Sequence, residues 1–145
     1  MDTVRSLLTN KGSHVWSVGR SATVLQGALL MREHHIGCLV VLDHEEVVGI
    51  FTERDVLQRV VAEGRDPAQT PVGEVMTEEV VCCTPETRLE EVRAAMKNRR
   101  LRHLPVMNDE RRLVGLISIG DLNAHLVADQ EATIFALHEY MYGRA

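Results

Sequence analysis

Two stretches of the chain share one order of apolar and polar positions. In the first, Val15–Val18 predicts a short strand. Val24, Ala28 and Met31 then recur at i, i+4 and i+7, one face of a helix. Leu39–Leu42 is an unbroken apolar run, the pattern of a strand covered on both faces. A polar turn, Asp43-His44-Glu45-Glu46, leads to Val47–Phe51 as its hairpin partner, and Val56, Leu57, Val60 and Val61 stripe a second helix. The order returns with Val80–Cys83, then Leu89, Val92 and Met96, then Leu104–Met107, Leu113–Ile117, and Leu122, Leu126 and Val127. Pro105 predicts that its strand is short or at an edge, because proline cannot donate to a ladder.

The two stretches are a duplication. Gly49-Ile50-Phe51-Thr52-Glu53-Arg54-Asp55 and Gly115-Leu116-Ile117-Ser118-Ile119-Gly120-Asp121 both read Gly, two apolar residues, a hydroxyl, two variable positions, Asp, at an interval of 66. Upstream the interval is 65, and the extra residue falls in the turn Asn108–Arg112, where insertions are tolerated. The expected organisation is an N-terminal helical segment (1–13, with a helix at Thr3–Leu8), repeat one (14–62), a linker (63–78), repeat two (79–127) and a C-terminal helix extension (128–145). Val72, Val75 and Met76 place one helical turn in the linker, and Leu122, Leu126, Ile134, Leu137 and Met141 lie near one face of the last helix. The expected fold class is α/β (α+β), two pseudo-symmetric β-α-β-β-α units. A unit of this size is marginal alone, so the halves should bury each other.

Composition narrows the function. The 145 residues carry a net charge of −5 with no basic tract, which argues against nucleic acid and against lipid headgroups. No apolar run reaches the roughly 18 residues of a membrane span, and no signal-peptide pattern opens the chain. Three cysteines without a CxxC favour a reducing cytoplasm over a disulfide framework. Cys82 and Cys83 point to opposite faces of any strand that holds them. None of the seven histidines forms a metal-ligand spacing. His34-His35 near a helix end suits the dipole and solvent. With no nucleophile–base pair, Walker loop or GxGxxG, the expectation is a non-enzyme.

Thr52-x-x-Asp55 and Ser118-x-x-Asp121 sit where a strand ends and a helix begins. One reading is a capping box, in which hydroxyl and carboxylate satisfy the first helical amides. The other is a ligand site: a helix N-terminus attracts anions, and a carboxylate three residues on can accept both hydrogens of a ribose diol. Gly49 and Gly115 admit a close neighbour to the backbone, or a bulge. The residue pattern leaves both readings open.

GIFTERD (49–55) and GLISIGD (115–121), with VGEVMT (72–77) and RHLPV (102–106), resemble the motifs of a tandem cystathionine-β-synthase (CBS) domain pair, or Bateman module. TERD, SIGDL and a long helix after them are similar to small stand-alone bacterial CBS-pair proteins. The resemblance covers roughly 14–127. It implies two CBS repeats packed through their sheets about a pseudo-twofold axis, with two clefts that take adenosine-containing ligands: AMP, ADP, ATP, NAD(H) or S-adenosylmethionine. It assigns the ribose to Asp55 and Asp121, and ribose or phosphate contacts to Thr52 and Ser118. Ile36 and Leu101, with Cys38, Leu104 and Pro105 near them, would flank the adenine. Arg54, Arg102 and His103 would supply phosphate contacts, and Arg99 and Arg100 read as a solvated helix end. Copy one offers Gly37-Cys38 without a cation, so the clefts should be unequal. The implied role is a regulatory sensor, commonly dimeric, whose output is another surface, another chain or simple buffering of nucleotide; the alternative is a dimerisation scaffold with vestigial clefts.

Overall fold

A computed structural model of the chain describes residues 2–12 and 14–129. Helix α1 (Val4–Lys11) precedes β1 (Ser17–Gly19), α2 (Val24–His34), β2 (Cys38–Asp43) and β3 (Glu46–Thr52). The chain then enters α3 (Glu53–Asp55), which continues as a π-helical segment, Val56–Val61. A linker helix, α4 (Val72–Val75), leads to α5 (Leu89–Arg99), β4 (His103–Met107), β5 (Leu113–Ser118) and α6 (Ile119–Asp129). The expected helix over 128–145 lies, beyond Asp129, outside the described residues.

Each repeat builds its own small sheet. In the first, β1 pairs parallel with β2, and β2 antiparallel with β3. In the second, β4 and β5 pair antiparallel. Both hairpins carry a register shift at the same place, after Val41 and after Val106, opposite the motif glycines. Two strand expectations are corrected. β1 begins two residues later than Val15, and Val80–Cys83 forms no strand but a single bridge, Cys83 to Val106. Proline explains the second difference. In repeat one, the Val40 amide donates to Trp16 O at 3.2 Å. The equivalent residue is Pro105, which has no N–H to give Val81. The bonds that survive are Cys83 N–H to Pro105 O and Met107 N–H to Cys83 O.

The core divides between the repeats, and each flanking helix packs on one of them. Val24, Leu39, Val41, Phe51 and Val60 of repeat one bury Val72, Val75 and Met76 of the linker. Leu89, Val92, Leu104, Val106, Ile117 and Leu122 of repeat two bury Val4 and Leu7 of α1. The start of the chain thus belongs structurally to its second half. Burying each such side chain is worth about 1.5–3 kcal/mol. Backbone bonds from Val4 to Thr87, Arg5 to Pro85 and Leu89 to Asp2 pin α1 in place. The stripe expected on the helix after β3 is only half covered: Val60 is fully buried, but Leu57 and Val61 are 62% exposed. Val56 and Val60 lie one turn apart and face the core, while Leu57 and Val61 lie on the adjoining strip of the helix, beyond its reach.

The motif glycines are explained by these flanking segments. A Cβ at Gly49 would lie 2.5 Å from Met76 Sδ and 2.9 Å from the Thr77 carbonyl oxygen. One at Gly115 would meet the Leu8 side chain at 2.8 Å. The close visitor that the sequence foreshadowed is the protein's own linker in one repeat and α1 in the other.

Candidate functional site

Both motifs form capping boxes. The Asp55 amide donates to Thr52 Oγ1 (3.2 Å), and the Thr52 amide donates to Asp55 Oδ2 (3.0 Å). The Asp121 amide likewise donates to Ser118 Oγ (3.1 Å), and the Ser118 amide to Asp121 Oδ2 (2.8 Å). Capping occupies one carboxylate oxygen of each pair and leaves the other oxygen for a further partner. The capping and ligand readings are therefore compatible.

A cavity of about 730 Å³ opens beside the first motif. Thr52, Arg54 and Asp55 line it from repeat one, and Leu101, Arg102, His103 and Ser118 from repeat two. Each repeat thus completes a cleft begun by the other. Asp55 is only 5% exposed, and its Oδ1 accepts the Thr77 hydroxyl at 3.1 Å with Arg59 Nε at 3.7 Å. Three guanidiniums, Arg54, Arg100 and Arg102, stand among the carboxylates of Glu53, Asp55 and Glu79. Arg100, expected to be merely solvated, joins this cavity. A left-handed backbone (φ 56) at the end of α5 turns the chain there.

A second cavity, about 310 Å³, lies beside Asp121. Trp16, Ile36 and Cys38 line it from repeat one, Leu116 and Ser118 from repeat two, and His103 borders both cavities. Lys11, at the end of α1, reaches into it: its ammonium donates to Asp121 Oδ2 at 2.6 Å and to Leu116 O at 2.7 Å. Burial alone would raise the Asp121 carboxyl; the Lys11 ammonium and the Ser118 donors outweigh it and hold it below the ordinary carboxylate range. His103 is pushed down chiefly by burial, against the pull of Asp121.

The remaining expected positions are distributed unevenly. Ile36 and Leu101 line different cavities, as the pseudo-symmetry requires. Pro105 lines neither; it is buried in β4. Cys38 borders the second cavity, but burial and the nearby Asp55 charge push its thiol up to about 12, so it is inert. His34 is corrected: its ring stacks on Trp16 at 3.5 Å instead of facing solvent, while His14 meets Trp16 edge-on. Cys83 is buried and Cys82 exposed. Among the described residues, no group of three or more His, Cys, Asp or Glu can hold a metal ion, and no helix is long and apolar enough to cross a membrane. Sequence reasoning missed Lys11 and Thr77. Their interval is 66 residues, equal to that between Asp55 and Asp121, and that coincidence was the available signal.

Comparison with known proteins agrees with this architecture. The CBS domain family model matches residues 4–62 and 72–128. The chain is 34% identical over 132 residues to the CBS domain-containing protein YhcV of Bacillus subtilis, covering 91% of each. It superposes with a TM-score of 0.85 on a putative signal-transduction protein with CBS domains from Burkholderia ambifaria, at 39% identity, covering 89% of this chain and 96% of that one. A CBS domain pair solved in complex with 5′-methylthioadenosine and S-adenosyl-L-methionine shares the fold at a TM-score of 0.77 and 22% identity, over 86% of this chain and 99% of that one. The chain belongs to the CBS-domain family, as a tandem pair, and such pairs are generally regulatory modules.

Proposed function

We propose that this CBS pair is a non-catalytic sensor of an adenosine nucleotide, AMP, ATP or NAD(H), held in the clefts between its repeats. The observation that carries the reading is the crossed construction of the two cavities. Each brings a motif carboxylate and hydroxyl from one repeat against apolar residues of the other, Leu101 in the first and Ile36 in the second. A ribose diol would replace the Thr77 hydroxyl on Asp55, and Arg54, Arg100 and Arg102 would meet phosphates. The neighbour crystallised with methylthioadenosine and S-adenosylmethionine supports an adenosine-containing ligand for a CBS pair of this fold. A ligand that bridges the halves shifts them toward the state it binds better, and any partner of that state gains equally. An effector protein that binds this state would be such a partner, and a cytoplasmic setting suits the three free thiols.

Calorimetry with AMP, ATP, NAD⁺, NADH and S-adenosylmethionine tests this. Asp55→Ala and Asp121→Ala should each remove about 1–3 kcal/mol of binding, the worth of charge-assisted hydrogen bonds. Unchanged affinity in both would reduce the two carboxylates to caps.

The exposed apolar side chains of Leu57, Val61, Ile119 and Leu126 favour a second element, a homodimer closed over these helices. A stable dimer that binds no nucleotide would favour a scaffold with vestigial clefts.

A further inference from the structure

We propose that Lys11 is the charge-selecting residue of the Asp121 cleft, contributed by a helix outside both motifs, and that it fits this cleft to a ligand bearing a phosphate beside a sugar diol. The inference rests on the adenosine-ligand reading above. Lys11 is not a passing surface side chain. It closes a helix held by the buried Val4 and Leu7 and by three backbone bonds to repeat two. Its ammonium has three donors. Two are used, on Asp121 Oδ2 and Leu116 O, and the third remains at a residue that lines the 310 Å³ cavity.

Charge counting shows what the ammonium does there. Among the described residues lining this cavity, Lys11 and Asp121 are the only lysine, arginine or carboxylate side chains. Three imidazoles, His14, His35 and His103, also line it; of the fixed charges, Lys11 balances Asp121, and without Lys11 that carboxylate would stand uncompensated by any lysine or arginine against an incoming phosphate. The first cleft does not depend on this position. Its pseudo-symmetric counterpart there is Thr77, an uncharged hydroxyl, and that cavity has three guanidiniums of its own.

Binding then proceeds as an exchange. Asp121 Oδ2 already accepts from Ser118 N–H and Lys11, whereas Oδ1 accepts no hydrogen bond among the described residues. One sugar hydroxyl takes Oδ1. The ammonium, on its flexible four-carbon stem, moves from Oδ2 to the phosphate and frees Oδ2 for the second hydroxyl.

Trp16 is the only tryptophan in the chain and lines this cavity but not the other, so its emission probes the Asp121 cleft directly. AMP and adenosine would be titrated against the wild type, Lys11→Met and Lys11→Arg, with calorimetry in parallel. In Lys11→Met the ratio of AMP to adenosine affinity should fall at least about tenfold, as for one lost charge-assisted hydrogen bond. Lys11→Arg should keep most of the ratio. An unchanged ratio in Lys11→Met overturns the assignment. So does an equal tightening of both ligands, which would make the ammonium a plain obstruction. A wild type that gives neither emission change nor heat with either ligand brings down the adenosine reading itself, and this assignment with it.

Discussion

Thr77 and Lys11 meet equivalent carbonyls in the two halves. The Thr77 amide donates to Ile50 O at 2.8 Å; the Lys11 ammonium donates to Leu116 O at 2.7 Å. Each then also reaches the motif carboxylate, through a hydroxyl in one half and through the same ammonium in the other. The duplicated scaffold has preserved the place of the donor while exchanging its chemistry. A backbone strand crossing a sheet is held by reciprocal bonds, Ile50 to Thr77 and back, and cannot yield locally. A side chain reaching over a strand can change rotamer or residue type. The lesson is that repeat symmetry transmits geometry more faithfully than it transmits charge.

The largest expected effect breaks this symmetry at the glycines. Gly49→Ala drives a methyl into Met76 and the Thr77 carbonyl, and backbone cannot retreat; it should cost about 1–3 kcal/mol, the usual penalty of overpacking. Gly115→Ala meets the far end of the flexible Leu8 side chain and should cost clearly less. Urea denaturation of both variants checks the order, and equal losses would mean that the linker crossing is no stiffer than the α1 contact.

A smaller effect concerns His103, which borders both cavities. Its folded-state proton affinity is lowered, so the unfolded chain binds the proton more tightly. The stability contributed is full above the ordinary imidazole value of 6.5 and is lost as pH falls through the lowered folded value. Wild type should therefore lose stability on acidification through that window, and His103→Asn should lose less. Denaturation midpoints at about pH 7.5 and about pH 5.5 decide it. Parallel losses would show that burial between the two cavities does not lower the proton affinity of His103.

The smallest effect tests the missing strand. Pro105→Val restores an N–H facing Val81, as Val40 faces Trp16 in repeat one. A hydrogen-exchange-protected amide at position 105 is expected, with stability changed by no more than about 1 kcal/mol, because the new bond is offset by the freer unfolded chain. A rapidly exchanging amide there would mean that the two sheets differ for some reason other than proline.

Much of the fold was legible because it is local. The apolar run Leu39–Leu42, the stripe Leu89–Val92–Met96 and the hydroxyl-to-Asp spacing of each motif report their own element within a few residues. The shortened ladder at Pro105 was half legible: the edge was foreseen, the loss of strand 80–83 was not, because it depends on which neighbour needs the missing donor. Arg100 looked solvated because nothing in its neighbourhood along the chain shows that Asp55 stands across the cavity.

The amino-acid order alone determined the duplication, most of the secondary elements, the position of the two helix entrances and the acidic, metal-motif-free composition, since each follows from periodicity, hydrogen-bonding capacity or charge along the chain. Only the tertiary structure decided which donor attends each carboxylate. Lys11 and Asp121 stand 110 residues apart, and they meet because α1 buries Val4 and Leu7 in the second repeat's core instead of the first's. That choice is made by packing between surfaces distant in sequence, and it sets the charge of a cleft that the motifs on their own would leave negative.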